Sequence, residues 1–229
     1  MASTKLGAYI EQLEQRNDGN VFDADSVVGL STQKQFIKTK ADLGGVNLTS
    51  YKLFIPASFA YVPDTSRRGD KVSLAYNSEN ATYLVSSISV VFKVTRPDIL
   101  HPDYLFMWFN RPEFDRYARF NSWGSARETF SFEDMCDISI ELPPLSVQQK
   151  YVNIYKSMLA NQRSYKRGLE DLKLVCDGYF DALKKDEGLQ TKLGDIIDSV
   201  DQRNVNELYG KDDVKGISNI KEFIKTKAD

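Results

Sequence analysis

The sequence is poor in the residues on which catalysis usually depends. Its 229 positions hold one histidine, His101, which stands before Pro102 with no cysteine or acidic cluster nearby and reads as a helix start. The two cysteines, Cys136 and Cys176, are far apart and lack metal-ligand spacing, so free thiols in a reducing compartment are expected. No Gly-x-x-x-x-Gly-Lys loop is available to cradle a nucleotide phosphate, and the glycines form no dinucleotide fingerprint. Acidic residues are numerous, yet none pair at a spacing that implies a metal. No catalytic residue, metal or cofactor is therefore expected in this chain.

Long apolar runs are missing too. None approaches the roughly 18 residues needed to cross a bilayer, and Met-Ala-Ser-Thr-Lys-Leu-Gly at the start is not a signal peptide. A soluble, cytoplasmic protein with no membrane partner is expected. Charge of one sign is also scarce, with a formal net charge of −2 and a pI near 5.6. Residues 1–147 hold 15 Lys plus Arg against 18 Asp plus Glu, so contact with a polyanion would have to use a local face. Residues 31–71 offer one: Lys34, Lys38, Lys40, Lys52, Arg67, Arg68 and Lys71 face only Asp42, Asp64 and Asp70.

What the chain does have is a long helical period. Tyr151, Tyr155, Met158, Gln162, Tyr165, Leu169, Leu172, Cys176, Tyr179 and Leu183 follow in alternating steps of four and three. That is the roughly 3.5-residue repeat of a coiled-coil seam. A helix from Ser146 to Lys185 would be about 60 Å long at about 1.5 Å per residue. Gly168 and Gly178 each cost up to about 1 kcal/mol inside a helix. The helix therefore reads as a strut that pairs with another helix, with Tyr151, Tyr155, Met158, Tyr165, Leu169, Leu172, Tyr179 and Leu183 as its dimerisation face.

Residues 5–42 recur without gaps at 192–229, with 19 identities in 38 positions. Lys-Leu-Gly returns at 192–194, Gln-Arg-Asn at 202–204, and Phe-Ile-Lys-Thr-Lys-Ala-Asp at 223–229. The expected organisation is a domain over 1–145, a spacer helix over 146–187, and the opening of a second copy over 188–229.

Within the first copy, Leu6–Ile10, Val27–Leu30, Lys71–Tyr76, Tyr83–Val94 and Ile138–Leu142 read as strands. Tyr51–Tyr61 contains Pro56 and reads as one edge strand or as two strands with a bend. Tyr104–Asn110 and Glu113–Phe120 read as helices opened by prolines. Ser131 and Asp134 suggest a capped helical turn within Phe130–Met135. The expected fold is α+β: one mixed α/β domain followed by a long coiled-coil helix.

The surface, not an active site, is the place to look for function. Gly124-Ser125-Ala126-Arg127 sets a small turn before an arginine, where a guanidinium can approach a phosphate or a guanine edge. Arg116 and Arg119 share a helical face. Residues 122–150 resemble the end of a target recognition domain in the specificity subunits of type I restriction-modification enzymes. The resemblance rests on the Gly-Ser-x-Arg turn, on Ile140-Glu141-Leu142-Pro143-Pro144-Leu145, and on Gln148-Gln149. Lys5-Leu6-Gly7 and residues 68–75 fit as well, and the order of domain, long helix and repeat is its most specific element.

That resemblance implies a non-catalytic DNA-recognition subunit. Family members carry two recognition domains, with helices that pair antiparallel as a spacer, so this chain resembles a half subunit that pairs with a second copy. Its partners would be double-stranded DNA, modification subunits that bring S-adenosylmethionine, and restriction subunits that bring ATP and Mg. The residues expected at DNA are Lys34, Lys38, Lys40, Arg67, Arg68, Lys71, Arg116, Arg119, Ser125 and Arg127. The rival expectation is an assembly module that uses the helix and never touches DNA, which the acidic total favours.

Overall fold

The computed structural model describes residues 3–39, 41–66, 71–125, 127–185, 197–200, 215–217 and 223–225. The chain divides into two compact units, Met1–Arg167 and Gly168–Asp229. In chain order the first unit begins with β1 (Ser3–Lys5), β2 (Ile10–Leu13), β3 (Val28–Leu30) and β4 (Phe36–Lys38). It continues through β5 (Lys52–Phe54), β6 (Ser58–Tyr61), β7 (Leu74–Tyr76), β8 (Tyr83–Val85) and β9 (Val90–Val94). Helices α1 (Pro102–Phe109), α2 (Pro112–Phe120) and α3 (Phe132–Cys136) follow, then β10 (Ser139–Glu141) and the long α4 (Leu145–Lys185), whose residues from Gly168 on belong to the second unit.

The centre is a four-stranded antiparallel sheet in the order β2-β9-β6-β7. Phe59 of β6 lies opposite Phe92 of β9 in the register, and their rings stack at 5.0 Å. Both rings meet Phe109 of α1 edge-on, and Phe109 packs on Phe114 of α2. Ala60, one residue on from Phe59, points to the opposite face among Phe54, Ala75, Val85 and Val91. Both faces of the sheet are thus covered, and β6 runs inside it between β9 and β7. Of the two readings of Tyr51–Tyr61, two strands is the one realised: the chain breaks at Pro56 and Ala57, whose φ is +59°. Tyr83–Val94 also splits in two, at a turn closed by Ser89 N–H donating to the Ser86 carbonyl at 2.9 Å. At Leu6–Ile10 the chain makes a 3-10 turn, Leu6–Ala8, before β2 begins. Phe36–Lys38, unread in the sequence, pairs with β3.

Local chemistry fixes the helix starts. His101 caps α1, its Nδ1 accepting from the Asp103 N–H at 3.2 Å, the helix-start role expected of it. Ser131 and Asp134 form a reciprocal capping box on α3. At the root of α4 the buried Gln148 side chain accepts from His101 N–H and donates to the carbonyls of Ile99 and Pro143. Val152 is buried one turn further on, and Lys156 pairs with Asp103 at 3.1 Å.

The seam is otherwise uncovered. Tyr151, Met158, Tyr165, Leu169, Leu172, Tyr179 and Leu183 are 50–79% exposed, whereas Tyr155 is half-buried. Ile154, Val175 and Phe180 widen this apolar face beyond the positions legible as a heptad.

In the second unit β11 (Lys215–Ile217) and β12 (Phe223–Lys225) form an antiparallel hairpin. Its register, Gly216 opposite Ile224, repeats that of Gly29 opposite Ile37 in β3–β4. Residues 197–200, which repeat β2, are in no strand, and Ile197 and Val200 are exposed. The difference has a simple cause. The hairpin finds its partner within the repeated stretch, while β2 is held by β9, which lies outside it.

Candidate nucleic-acid interface

The basic residues singled out in the sequence have different fates. Lys40, Arg67 and Arg68 lie outside the described residues. Lys38 is exposed at the end of β4. Lys34, in the β3–β4 turn with φ +59°, is buried: Nζ contacts the Asp115 carboxylate and donates to the Val72 carbonyl at 2.8 Å. It also lies 5.1 Å from the centre of the Phe114 ring. Burial pushes the Lys34 ammonium below its ordinary range, with Asp115 opposing that shift and Lys71 adding to it. A lysine so enclosed does not face a solvent-borne partner, which corrects the expectation for Lys34. Lys52 is likewise buried against Glu14 at 3.0 Å.

Lys34 and Asp115 form the floor of a cleft of about 290 Å³ between the β3–β4 turn and α2. Lys71, Arg116, Gln33 and Asn110 stand at its rim. Two of the expected contact residues, Lys71 and Arg116, are therefore brought together although 45 positions separate them (116 − 71). Arg116 and Arg111 both pair with Glu113, at 3.4 and 3.3 Å. A backbone hydrogen bond in the first turn of α2 holds the Glu113 carboxyl below its usual range, and the two arginines add to that.

The turn after α2 carries the rest. Trp123 and Thr129 exchange backbone hydrogen bonds of 3.1 and 2.9 Å and so close residues 123–129. Gly124 has φ +140°, and a Cβ there would stand 2.1 Å from the Arg127 carbonyl oxygen, so the turn requires glycine. Thr65 N–H donates to Glu128, and Phe130 N–H to Pro63, which ties the turn to residues 63–65. Arg119 reaches across from α2 to Glu128 at 2.6 Å. Ser125 and Arg127 stay exposed, and no described carboxylate forms an ion pair with Arg127. Phe120 and Trp123, which the sequence gave no reason to notice, are 79% and 65% exposed beside them.

Among the described residues no group of three His, Cys, Asp or Glu side chains is placed to hold a metal ion. No described helix is long and apolar enough to cross a membrane. The arrangement is one of exposed cationic and aromatic side chains on a hydrogen-bonded turn and a helix, suited to binding.

No protein-family model matches the chain, and no curated protein does. Solved structures share its fold. The S subunit of a type I restriction-modification system from M. genitalium is 10% identical with a TM-score of 0.52, over 81% of this chain and 46% of that one. The HsdS subunit from Thermoanaerobacter tengcongensis is 17% identical with a TM-score of 0.52, over 84% and 52% of the two chains. The chain thus spans about half the length of each structure it matches. The mixed domain and long helix expected from the sequence form the fold seen in those S subunits.

Proposed function

We propose that the chain is a DNA sequence-recognition subunit of a type I restriction-modification complex, itself non-catalytic, that directs methylation and cleavage by its partner subunits. The observation that carries this reading is the fold: one domain of the S-subunit kind followed by a long helix. Residues 1–145 would read DNA through the α2 arginines and the 123–129 turn. Residues 146–187 would be the spacer. Modification subunits would supply the methyl-transfer chemistry, and restriction subunits the cleavage.

In this reading two copies pair through α4, and the exposed seam supports the pairing. Its positions are symmetric about Arg167: Tyr151 and Leu183, Tyr155 and Tyr179, and Tyr165 and Leu169 are equidistant from it. An antiparallel pair with its two-fold axis there sets each of these opposite its counterpart. Gly168 then sits beside the axis, where a missing side chain allows close approach. Two identical domains at opposite ends read an inverted repeat with unread base pairs between its halves, since palindromy mirrors two-fold symmetry.

The test is co-purification with the cognate modification subunit, followed by mapping of methylated sites. Methylation at an inverted repeat is expected. An asymmetric site, in a complex holding only this subunit for recognition, removes the half-subunit pairing. A complex whose methylation is indifferent to this chain returns the assembly-module reading, which the net charge of −2 favours.

A further inference from the structure

We infer that Phe120 and Trp123 are base-contacting residues, placed to touch the bases of duplex DNA while Arg127 holds its charged edge or backbone. The inference rests on the DNA-recognition reading above and adds residues that reading does not use. Phe120 ends α2 and Trp123 opens the closed turn, so two large aromatic side chains, 79% and 65% exposed, emerge within four residues. A lone exposed aromatic is ordinary on a protein surface; a pair on a rigid support marks a contact site.

The support is hydrogen-bonded on both sides of Trp123. Asn121 Nδ2 donates to the Tyr117 carbonyl and Ser122 Oγ to that of Ala118, which fasten the exit from α2. The two hydrogen bonds between Trp123 and Thr129 then fix the backbone that carries the indole.

Charge selects the partner. Arg119 pairs with Glu128 of the turn, while Arg127 on the same turn is exposed. An aromatic surface edged by an exposed guanidinium that pairs with no described carboxylate suits a polyanion that also carries apolar groups. An aromatic can also meet a thymine methyl, or enter between two base steps as a wedge.

The chain has two tryptophans, Trp108 and Trp123, so Trp108→Phe leaves Trp123 as the only indole emitter. Trp108 packs on Phe109 and Phe114 at 5.8 Å each, and phenylalanine preserves an aromatic there. The Trp108→Phe chain, labelled with 5-hydroxytryptophan so that position 123 is excited apart from the partner's own tryptophans, is titrated in complex with its modification subunit, with a duplex bearing the mapped methylation site and with a scrambled duplex. DNA binding is followed in parallel by anisotropy of labelled duplex. The site-bearing duplex should quench Trp123 emission and shield it from acrylamide. Trp123→Ala should weaken binding of that duplex by roughly 5- to 150-fold, and Trp123→Phe by much less, with the scrambled duplex little affected.

Anisotropy that reports binding while Trp123 stays open to acrylamide overturns the inference and leaves the proposed function standing. Shielding on addition of modification subunit alone, unchanged by DNA, makes the aromatics a protein contact and also overturns it. Absence of DNA binding in the complex defeats the proposed function and this inference together.

Discussion

Lys34 and Asp115 meet in the interior although they belong to a hairpin turn and a helix far apart in sequence. The Asp115 Oδ1 that contacts Lys34 Nζ also accepts the Val72 N–H at 2.9 Å, and Lys34 donates to the Val72 carbonyl. One carboxylate and one ammonium thus join three segments, and they floor the cleft on whose rim Lys71 and Arg116 stand. Removing one partner leaves the other as an unpaired buried charge. Lys34→Met should lower stability by about 3–5 kcal/mol, read by thermal unfolding, and Lys34→Met with Asp115→Leu should recover much of that loss. If the single variant unfolds at the wild-type temperature, the pair holds nothing.

Arg127→Ala separates two kinds of DNA contact. A base contact predicts a loss of about 1–3 kcal/mol on the cognate site, with relaxed selectivity at one position. A phosphate contact predicts equal weakening on every sequence and a shallower salt dependence. Binding isotherms on cognate and scrambled duplexes at several salt concentrations distinguish them, and unchanged binding on both makes the arginine structural.

Pairing of α4 is checked by charge and by thiol chemistry. Leu169→Asp with Leu172→Asp should give monomers by sedimentation, because carboxylates would be buried in the seam. Cys176, exposed along the single helix, should alkylate quickly in those monomers and slowly in the wild-type pair. Equal rates in both would argue that the seam is unpaired.

Gly168→Ala should have opposite effects on one chain and on two. A Cβ at Gly168 meets nothing within 4 Å, and alanine favours the helix by up to about 1 kcal/mol. The helix should gain content by circular dichroism in the Leu169→Asp, Leu172→Asp background. The pair should dissociate more readily if the helices cross beside that residue. Tighter pairing instead would move the two-fold axis away from Arg167.

Cys136 is the slow thiol. Burial pushes it above its ordinary range, with Glu133 and Asp137 adding to that shift. The thiolate is the reactive form, so at pH 8 Cys136 should lag Cys176 in a monomeric variant, and its rate should climb as pH rises. A Cβ at Gly7 would stand 2.7 Å from that of Cys136, and fast, equal labelling at both positions would mean that this close approach opens in solution.

The elements legible in the sequence are those set by near neighbours. Pro102, Pro112, Ser131 and the Pro143-Pro144 pair announce their helices, and the step of four and three announces α4. Lys34 is different: nothing around it betrays burial, because Asp115 imposes it from 81 positions away. Phe36–Lys38 escaped for a related reason. At three residues it is too short to show an alternation, and the strand exists because β3 lies beside it. Nothing in the sequence sets Phe120 and Trp123 apart from aromatics of the core, yet both are exposed where α2 ends and the 123–129 turn begins. Periodicity finds faces, but it does not say which face a tertiary contact leaves bare.

The matched registers of β3–β4 and β11–β12 make the chain its own control experiment. Related text, identical at 19 of 38 positions, is read twice, once beside β9 and once without such a strand among the described residues. Where the needed contact lies a few residues along, as between Leu30 and Phe36, the two readings agree. Where it lies in another strand, as between Ile10 and Val94, they part, and Ile197 stays bare. Hydrogen exchange measured on matched positions of the two copies would therefore measure, within one molecule and one buffer, how much protection distant strands confer.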